Sequence, residues 1–227
     1  MNFNKDYLAL VLVGLILLSS IFVIKQNFSD IKNKITGAPQ LDTSAIIIQI
    51  NESRCSKDFE QGWNLISVPC VAKPTNVSQV FENISGDIIS IFEYPSKRVW
   101  RAYNPSLPEW VVQDLEKINR KRGYWLNMDN SAFFELNSST ATPNHINLKQ
   151  GWNLIGYPTF EYRNISLALQ TIDQNYEYII LFNASSNEWQ EFSWNTSMGL
   201  NQDLKEMVPY YGYWIFMEEG DTLVIDW

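Results

Sequence analysis

The chain has 227 residues, of which 45% are hydrophobic, so it is long and apolar enough to bury a core. Its net charge of −8 comes mainly from residues 148–227, which hold 3 basic and 11 acidic side chains. This argues against nucleic acid as a partner, because binding a phosphate backbone needs clustered lysine and arginine. One histidine and two cysteines exclude most catalytic and metal sites, so we predict no catalytic residue, no cofactor and no metal.

Residues 7–24 form an uncharged apolar stretch of 18 residues, which is long enough to cross a bilayer as a helix. We predict a transmembrane anchor and helical stalk over residues 1–36. A cleaved signal peptide is the alternative, although no A-x-A site follows the apolar run. The stalk carries an apolar stripe at Ile24, Phe28, Ile31 and Ile35. We predict that this stripe packs on the chain's own domain; packing against a second copy, which would give a homo-oligomer, is the alternative.

Two signals disagree on the orientation of this anchor. Lys25, Lys32 and Lys34 follow the apolar run, which favours a cytoplasmic chain. Glycosylation sequons favour the outside, because they are acceptors in the surface loops of exported proteins. The eight sequon asparagines are Asn27, Asn51, Asn76, Asn83, Asn137, Asn164, Asn183 and Asn195. Since long domains translocate largely regardless of nearby charge, we predict a single-pass cell-membrane glycoprotein with extracellular C-terminal domains.

The two cysteines, Cys55 and Cys70, are 15 residues apart and flank the first copy of a repeated motif. We predict a disulfide between them, which would contribute about 3 kcal/mol through loop closure. Two buried free thiols are the alternative.

The repeated motif organises the chain. Residues 62–69, GWNLISVP, return as residues 151–158, GWNLIGYP, at a separation of 89. The tripeptides QDL and GYW recur at the same separation. A fixed period over separate motifs indicates duplication. We therefore predict two modules, residues 59–140 and 141–227, after a linker of residues 37–58 with a lead-in strand at 45–50.

Each module has the same predicted elements. A strand follows the GWN turn, Ser78 or Ser166 caps a short helix, and a hairpin comes next with return strands at residues 99–103 and 188–192. Asp114 and Asp203 are predicted to open a second short helix. The fold class is therefore α+β: two tandem pseudo-repeated small modules of short strands with one or two short helices each, after an N-terminal transmembrane helix.

The tryptophans fall into two groups: those that match between the two copies and those that occur in one copy only. Six tryptophans match between the copies, and we predict that they are mostly core; they are the pairs 63/152, 100/189 and 125/214. Trp110 and Trp194 are unmatched and lie in or beside variable loops, so they are the candidates for stacking on a ligand such as a sugar ring. The single His145 is predicted to be a solvated loop residue.

The paired signatures GWNLISVP with GYWLNM, and GWNLIGYP with GYWIFM, resemble a tandem repeat of archaeal and some bacterial secreted or cell-surface proteins. The resemblance implies a cell-surface location and a tandem arrangement, and it brings no established catalytic residues.

These observations predict a non-enzymatic, membrane-anchored extracellular surface protein with an adhesion, envelope-organising or binding role. A carbohydrate-binding or glycoside-hydrolase-like surface protein is the first alternative, and a pilin-like filament subunit is the second. The predicted partners are the membrane, through the N-terminal helix, and surface glycans or other envelope proteins.

Overall fold

Within the part of the chain that the computed structural model describes, strands make up most of the regular structure and the helices are few and short. The structure describes residues 54–95, 99–108, 110–137 and 144–227. The predicted anchor, stalk and lead-in strand, together with the sequons at Asn27 and Asn51, lie outside these residues. Over the described ranges, no helix is both long and apolar enough to span a membrane.

The two halves contain matching strands. The first repeat, residues 54–137, comprises β1 (Arg54–Phe59), β2 (Gly62–Ile66), β3 (Thr75–Asn76), β4 (Ile88–Glu93), β5 (Arg101–Tyr103), β6 (Lys117–Ile118), β7 (Tyr124–Met128) and β8 (Ala132–Asn137). The second repeat, residues 144–227, comprises β9 (Asn144–Leu148), β10 (Gly151–Gly156), β11 (Arg163–Asn164), β12 (Tyr176–Asn183), β13 (Glu188–Phe192), β14 (Glu206–Met207), β15 (Gly212–Met217) and β16 (Asp221–Ile225).

The helices are single turns or little more. Short α-helices span Val77–Val80 and Ile165–Ala168, and 3-10 helices span Glu82–Asp87, Gln170–Ile172 and Thr196–Met198.

Strand order is the same in both repeats. A four-stranded antiparallel sheet has the order β2-β7-β4-β5 in the first repeat and β10-β15-β12-β13 in the second. Each repeat adds a two-stranded ribbon, β1 with β8 or β9 with β16, and a two-residue ladder, β3 with β6 or β11 with β14. The sequence period of 89 therefore corresponds to a repeated topology.

Buried and partly exposed side chains alternate along the central strands, and this alternation explains where each core lies. In β7, the side chains of Tyr124, Leu126 and Met128 are buried, whereas Trp125 and Asn127 point to the opposite face of the sheet. Strand β15 repeats this pattern, since its buried residues are 89 positions further on. Each repeat has its own hydrophobic cluster on the buried face of its sheet.

The repeats contact each other through equivalent backbone positions. Isolated bridges join Ile66 to Tyr211 and Arg122 to Ile155, and these two pairs are related by the 89-residue period. The N–H of Ser67 donates to the carbonyl of Tyr210 at 2.8 Å, and the equivalent N–H of Gly156 donates to that of Lys121 at 3.1 Å. Reciprocal contacts of this kind are those of an isologous interface, here formed within one chain.

Two predictions about helices are wrong. The short helices begin one residue before the serines, so the N-caps are Asn76 and Asn164 rather than Ser78 and Ser166, and the side chain of Asn164 accepts from the N–H of Ser166 at 3.1 Å. Sequence pattern alone could not separate the two, because asparagine and serine cap equally well.

Asp114 and Asp203 open no helix. Their carboxylates instead accept the backbone N–H groups of Ala102 and Glu191, each at 2.7 Å. The acidic position repeats because it ties a loop to the outer strand of each four-stranded sheet.

Strands β1 and β9, which precede each GWN motif, were not predicted. The segment Arg54–Phe59 is charged at three of its six positions, so it lacks an obvious apolar signal. The apolar residues are instead in its partner strand, β8.

Candidate functional site: a tryptophan face

Most residues that the two copies share are explained by folding. Gly62 and Gly151 have φ angles of +86° and +84°, which glycine adopts readily and other residues rarely do. The side chains of Asn64 and Asn153 close the loop before the strand, since each carbonyl oxygen accepts a backbone N–H four residues earlier at 3.0 Å. The amide nitrogens donate to the carbonyls of the same loops.

The second motif, GYW, also has structural roles at its first two positions. A Cβ on Gly123 would lie 2.7 Å from the carbonyl oxygen of Ile155, and a Cβ on Gly212 would lie 2.8 Å from that of Ile66, because the backbones of the two repeats approach each other closely here. The tyrosine hydroxyls of the motif, on Tyr124 and Tyr213, accept backbone N–H groups five residues earlier.

The matched tryptophans are the exception, and the prediction that they are mostly core is wrong. Trp63 is 46% exposed and its equivalent Trp152 is 37% exposed; Trp100 and Trp189 are similarly open. Trp125 and Trp214 are half-buried on the outer faces of β7 and β15. We call this set of six the tryptophan face: Trp63, Trp100, Trp125, Trp152, Trp189 and Trp214.

Rings of the tryptophan face meet across the boundary between the repeats. Trp125 contacts Trp189 with ring centroids 5.9 Å apart, and the equivalent pair, Trp100 and Trp214, is 6.0 Å apart. Within each repeat, Trp63 meets Trp125 and Trp152 meets Trp214, both edge to face. These contacts make two equivalent trios of tryptophans, and Phe92, whose ring contacts both Trp63 and Trp100, joins them into one aromatic surface.

Two open grooves lie on this surface at equivalent positions. The first aromatic groove has a volume of about 680 Å³, and its lining residues are Trp63, Phe92, Trp100, Trp125 and Phe182. The second aromatic groove is about 300 Å³, and its lining residues are Trp152, Ile180, Trp189, Trp214 and Tyr94. Strand register makes these two sets correspond residue by residue, because Phe92 and Ile180 pair with Trp125 and Trp214. Each groove takes one aromatic wall from the other repeat.

One buried carboxyl group is specific to the first repeat. Glu93 on β4 lies 3.7 Å from both Arg101 and Arg122. Burial raises the pKa of this carboxyl above its usual range, and the two guanidinium groups lower it by less. By strand register, the equivalent residue of the second repeat is Leu181, so this ion-pair cluster is not part of the shared framework.

The predicted disulfide is confirmed. Cys55 and Cys70 are bonded, with their Cα atoms 5.9 Å apart, and both are fully buried. Their equivalents in the second repeat, Asn144 and Thr159, are also buried. The Asn144 side chain accepts from Arg120 Nε at 2.6 Å and donates to the carbonyl of Pro158 at 3.3 Å.

The unmatched tryptophans differ from each other. Trp110 is 82% exposed in its loop. Trp194 is 39% exposed and donates from Nε1 to the carbonyl of Tyr176 at 2.6 Å, which fixes its ring. The expectation from sequence that either ring stacks on a ligand is an alternative to binding at the tryptophan face. His145 lies on β9, so its assignment to a loop is wrong, although its side chain is exposed as predicted.

The sequon asparagines in the described ranges lie at the surface. Asn76, Asn83, Asn137 and Asn164 are exposed, and Asn183 and Asn195 are partly exposed. Which of them carry glycans stays a prediction.

Sequence pattern contained the signal for the tryptophan face. In GYWLNM the tyrosine, leucine and methionine occupy alternate positions of one strand and form its apolar face. The tryptophan lies between two of them, so its side chain points to the opposite face of the sheet. Among the residues that the structure describes, no group of three histidine, cysteine, aspartate or glutamate side chains is placed to hold a metal ion. No family model, curated protein or solved structure matches the chain.

Proposed function

We propose that the protein is a non-catalytic binding module of the cell surface, and that the tryptophan face is its contact surface for glycans. The observation that carries the proposal is the placement of the six matched tryptophans. The other shared motif residues form turns, loops, core or the interface between repeats. The tryptophans instead remain partly open to solvent in both copies.

Physical chemistry favours a ligand with flat apolar faces. Exposed apolar surface of this extent marks an interaction site in soluble domains. An indole offers a broad apolar ring and a polar N–H, which suits a sugar ring with one apolar face and hydroxyl groups at its edge. Two equivalent grooves on one continuous surface suit an extended glycan chain that contacts both, since the second contact then forms at high effective concentration.

The cellular location is part of the proposal. The 18-residue apolar stretch at residues 7–24 would anchor the chain in the cell membrane as a single pass, and the repeats would lie outside. Support comes from the surface position of the sequon asparagines and from the disulfide, since disulfides persist in oxidising compartments. Envelope proteins and a second copy, through the stalk, are further proposed partners.

A binding experiment tests the proposal. The full-length chain in neutral-lipid nanodiscs is screened against a glycan array and then titrated with the best oligosaccharide. The double variant Trp63→Ala/Trp152→Ala removes one exposed ring from each groove. We expect its affinity to fall about tenfold or more, because a lost stacking contact of ~1.4 kcal/mol corresponds to a factor of ten.

Trp110→Ala is the matched control, since it removes an equally large ring from a loop. It should bind like the wild type. Wild-type affinity in the double variant, with loss of binding in Trp110→Ala, would move the site to the loop and contradict the proposal.

A further inference from the structure

A basic pocket lies where the two repeats meet. It has a volume of about 260 Å³, and its lining includes Lys121, Arg122 and Lys149, with His145 beside them. Lys121 and Arg122 belong to the first repeat, and Lys149 belongs to the second. The second repeat has only three basic residues in positions 148–227, so a cluster of positive charge at its border is unusual for this chain.

Little protein charge compensates this cluster. Among the described residues, neither Lys121 nor Lys149 forms an ion pair. Arg122 pairs with Glu93 at 3.7 Å, but that carboxylate is shared with Arg101. The pocket therefore has a net positive charge that an anionic group can neutralise.

The equivalent site in the molecule shows that the fold does not require this charge. Its residues lie 89 positions away, where Tyr210, Tyr211 and Glu60 stand in place of Lys121, Arg122 and Lys149. That site is nearly closed, with a volume of about 20 Å³, and Ser185 Oγ donates to Glu60 Oε1 there at 3.0 Å. The lining of that site has one lysine, Lys57, whose Nζ lies 4.9 Å from the ring centroid of Tyr211, and two carboxylates, Asp58 and Glu60. An excess of lysine and arginine thus occurs only at the open pocket of the two equivalent sites.

The basic pocket adjoins the tryptophan face. Tyr94 and Trp152 line both the basic pocket and the second aromatic groove. A ring that stacks on Trp152 therefore has the lysines within reach of its substituents. The volume suits one sugar unit, because it falls just below the ~300–1,000 Å³ of pockets for drug-sized ligands.

We infer that the basic pocket is a subsite for the carboxylate of a uronic acid unit, and that the glycan bound by the tryptophan face is an acidic polysaccharide. The inference rests on the proposed function. Lys121 and Lys149 bind the carboxylate, Arg122 adds positive charge beside it, and Trp152 with Tyr94 contacts the sugar ring. The net charge of −8 on the protein makes such a local site necessary, since the chain as a whole repels acidic glycans.

Isothermal titration of the full-length chain in neutral-lipid nanodiscs tests the inference. The probes are a uronic acid tetrasaccharide, the same tetrasaccharide with its carboxyl groups reduced to alcohols, and inorganic sulfate. We expect the acidic tetrasaccharide to bind about tenfold more tightly than the neutral one at low ionic strength, with a smaller ratio at ~0.15 M salt. Sulfate alone should bind weakly or not at all, because it lacks the ring.

The variant Lys121→Gln/Lys149→Gln should bind both tetrasaccharides with the affinity that the wild type has for the neutral one. Lys73→Gln/Lys117→Gln is the matched control: it removes the same charge from exposed lysines outside the pocket, and it should keep the tenfold preference.

Three outcomes would overturn the inference: equal affinity of the wild type for the two tetrasaccharides, a preference that survives in Lys121→Gln/Lys149→Gln, or sulfate binding as tight as that of the acidic tetrasaccharide. Failure here is distinguishable from failure of the proposed function. If the neutral tetrasaccharide still binds the wild type, and Trp63→Ala/Trp152→Ala weakens that binding about tenfold or more, the tryptophan face stands without the carboxylate subsite.

Discussion

The first and second repeats have the same strand order but secure the start of the signature strand differently. In the first repeat, a disulfide joins Cys55 on β1 to Cys70 after β2. In the second, the same two positions are Asn144 and Thr159, and a buried amide replaces the covalent bond with hydrogen bonds to Arg120 and Pro158. Arg120 comes from the first repeat, so the second repeat depends on its neighbour for a contact that the first makes within itself.

Comparing the two repeats also shows which residues the fold requires and which it does not. Turn glycines, loop asparagines and the aspartates that tie the outer strand are present in both copies because the fold needs them. The pocket residues differ, since Lys121, Arg122 and Lys149 correspond to Tyr210, Tyr211 and Glu60. The tryptophans are present in both copies without being buried as core, which is why we propose that they bind a ligand.

The largest predicted effect is at the interface between the repeats. Gly123→Ala places a Cβ 2.7 Å from the carbonyl oxygen of Ile155, and Gly212→Ala places one 2.8 Å from that of Ile66. Backbone cannot move aside as a side chain can, so each variant should lose about 3 kcal/mol of unfolding free energy in urea titration. Gly86→Ala is the control, because nothing lies within 4 Å of its added Cβ. Equal stability of all three variants would contradict the described interface.

Removal of the disulfide should cost nearly as much. Cys55→Ser/Cys70→Ser frees a loop with a sequence separation of 15, which corresponds to about 3 kcal/mol of loop-closure entropy. Thermal and urea unfolding with and without reductant would measure the loss. Reductant should destabilise the wild type and leave the variant unchanged; a wild type insensitive to reductant would remove the disulfide from the account.

A smaller effect is expected at the equivalent position of the second repeat. Asn144→Ala leaves Arg120 Nε and the Pro158 carbonyl without this partner in a buried setting, at a cost of about 1–3 kcal/mol. Asn147→Ala, on the exposed side of the same strand, is the control. A loss in the control as large as that in Asn144→Ala would show that strand propensity, rather than the buried amide, sets the stability.

The smallest effect concerns pH and is confined to the first repeat. Burial raises the pKa of Glu93 in the folded chain above its ordinary 4.5, so the folded state holds its proton to a higher pH than the unfolded state. The protonated Glu93 carboxyl therefore contributes to the free energy of unfolding below the unfolded pKa, and this contribution is lost as pH rises through the folded pKa. Unfolding free energies measured across this window should fall more steeply with pH in the wild type than in Glu93→Gln. Parallel curves of unfolding free energy against pH for the two proteins would contradict the raised pKa of Glu93.

Sequence alone identified the duplication, the signature strands, the return strands and the disulfide, because each depends on local pattern or on a matched pair of positions. It misassigned the caps at Ser78 and Ser166 because an adjacent asparagine competes for the same role. Strand β1 was missed since its charged segment becomes a strand only through pairing with β8.

The site was harder to predict than the fold. Matching of the tryptophans between copies suggested burial, because shared large apolar residues are usually core. Their exposure follows from which face of β7 and β15 the motif presents, and their grouping follows from how two repeats meet around Gly123 and Gly212. The basic pocket has the same origin, as its lysines are contributed by different repeats.

The most direct test of the tryptophan face is an NMR titration that observes all nine indole N–H groups of the full-length chain with a bound oligosaccharide. We expect the signals of the six tryptophans of the face to shift on binding, while those of Trp110 and Trp194 stay in place. Shifts confined to Trp110 or Trp194, with the six unchanged, would contradict this expectation.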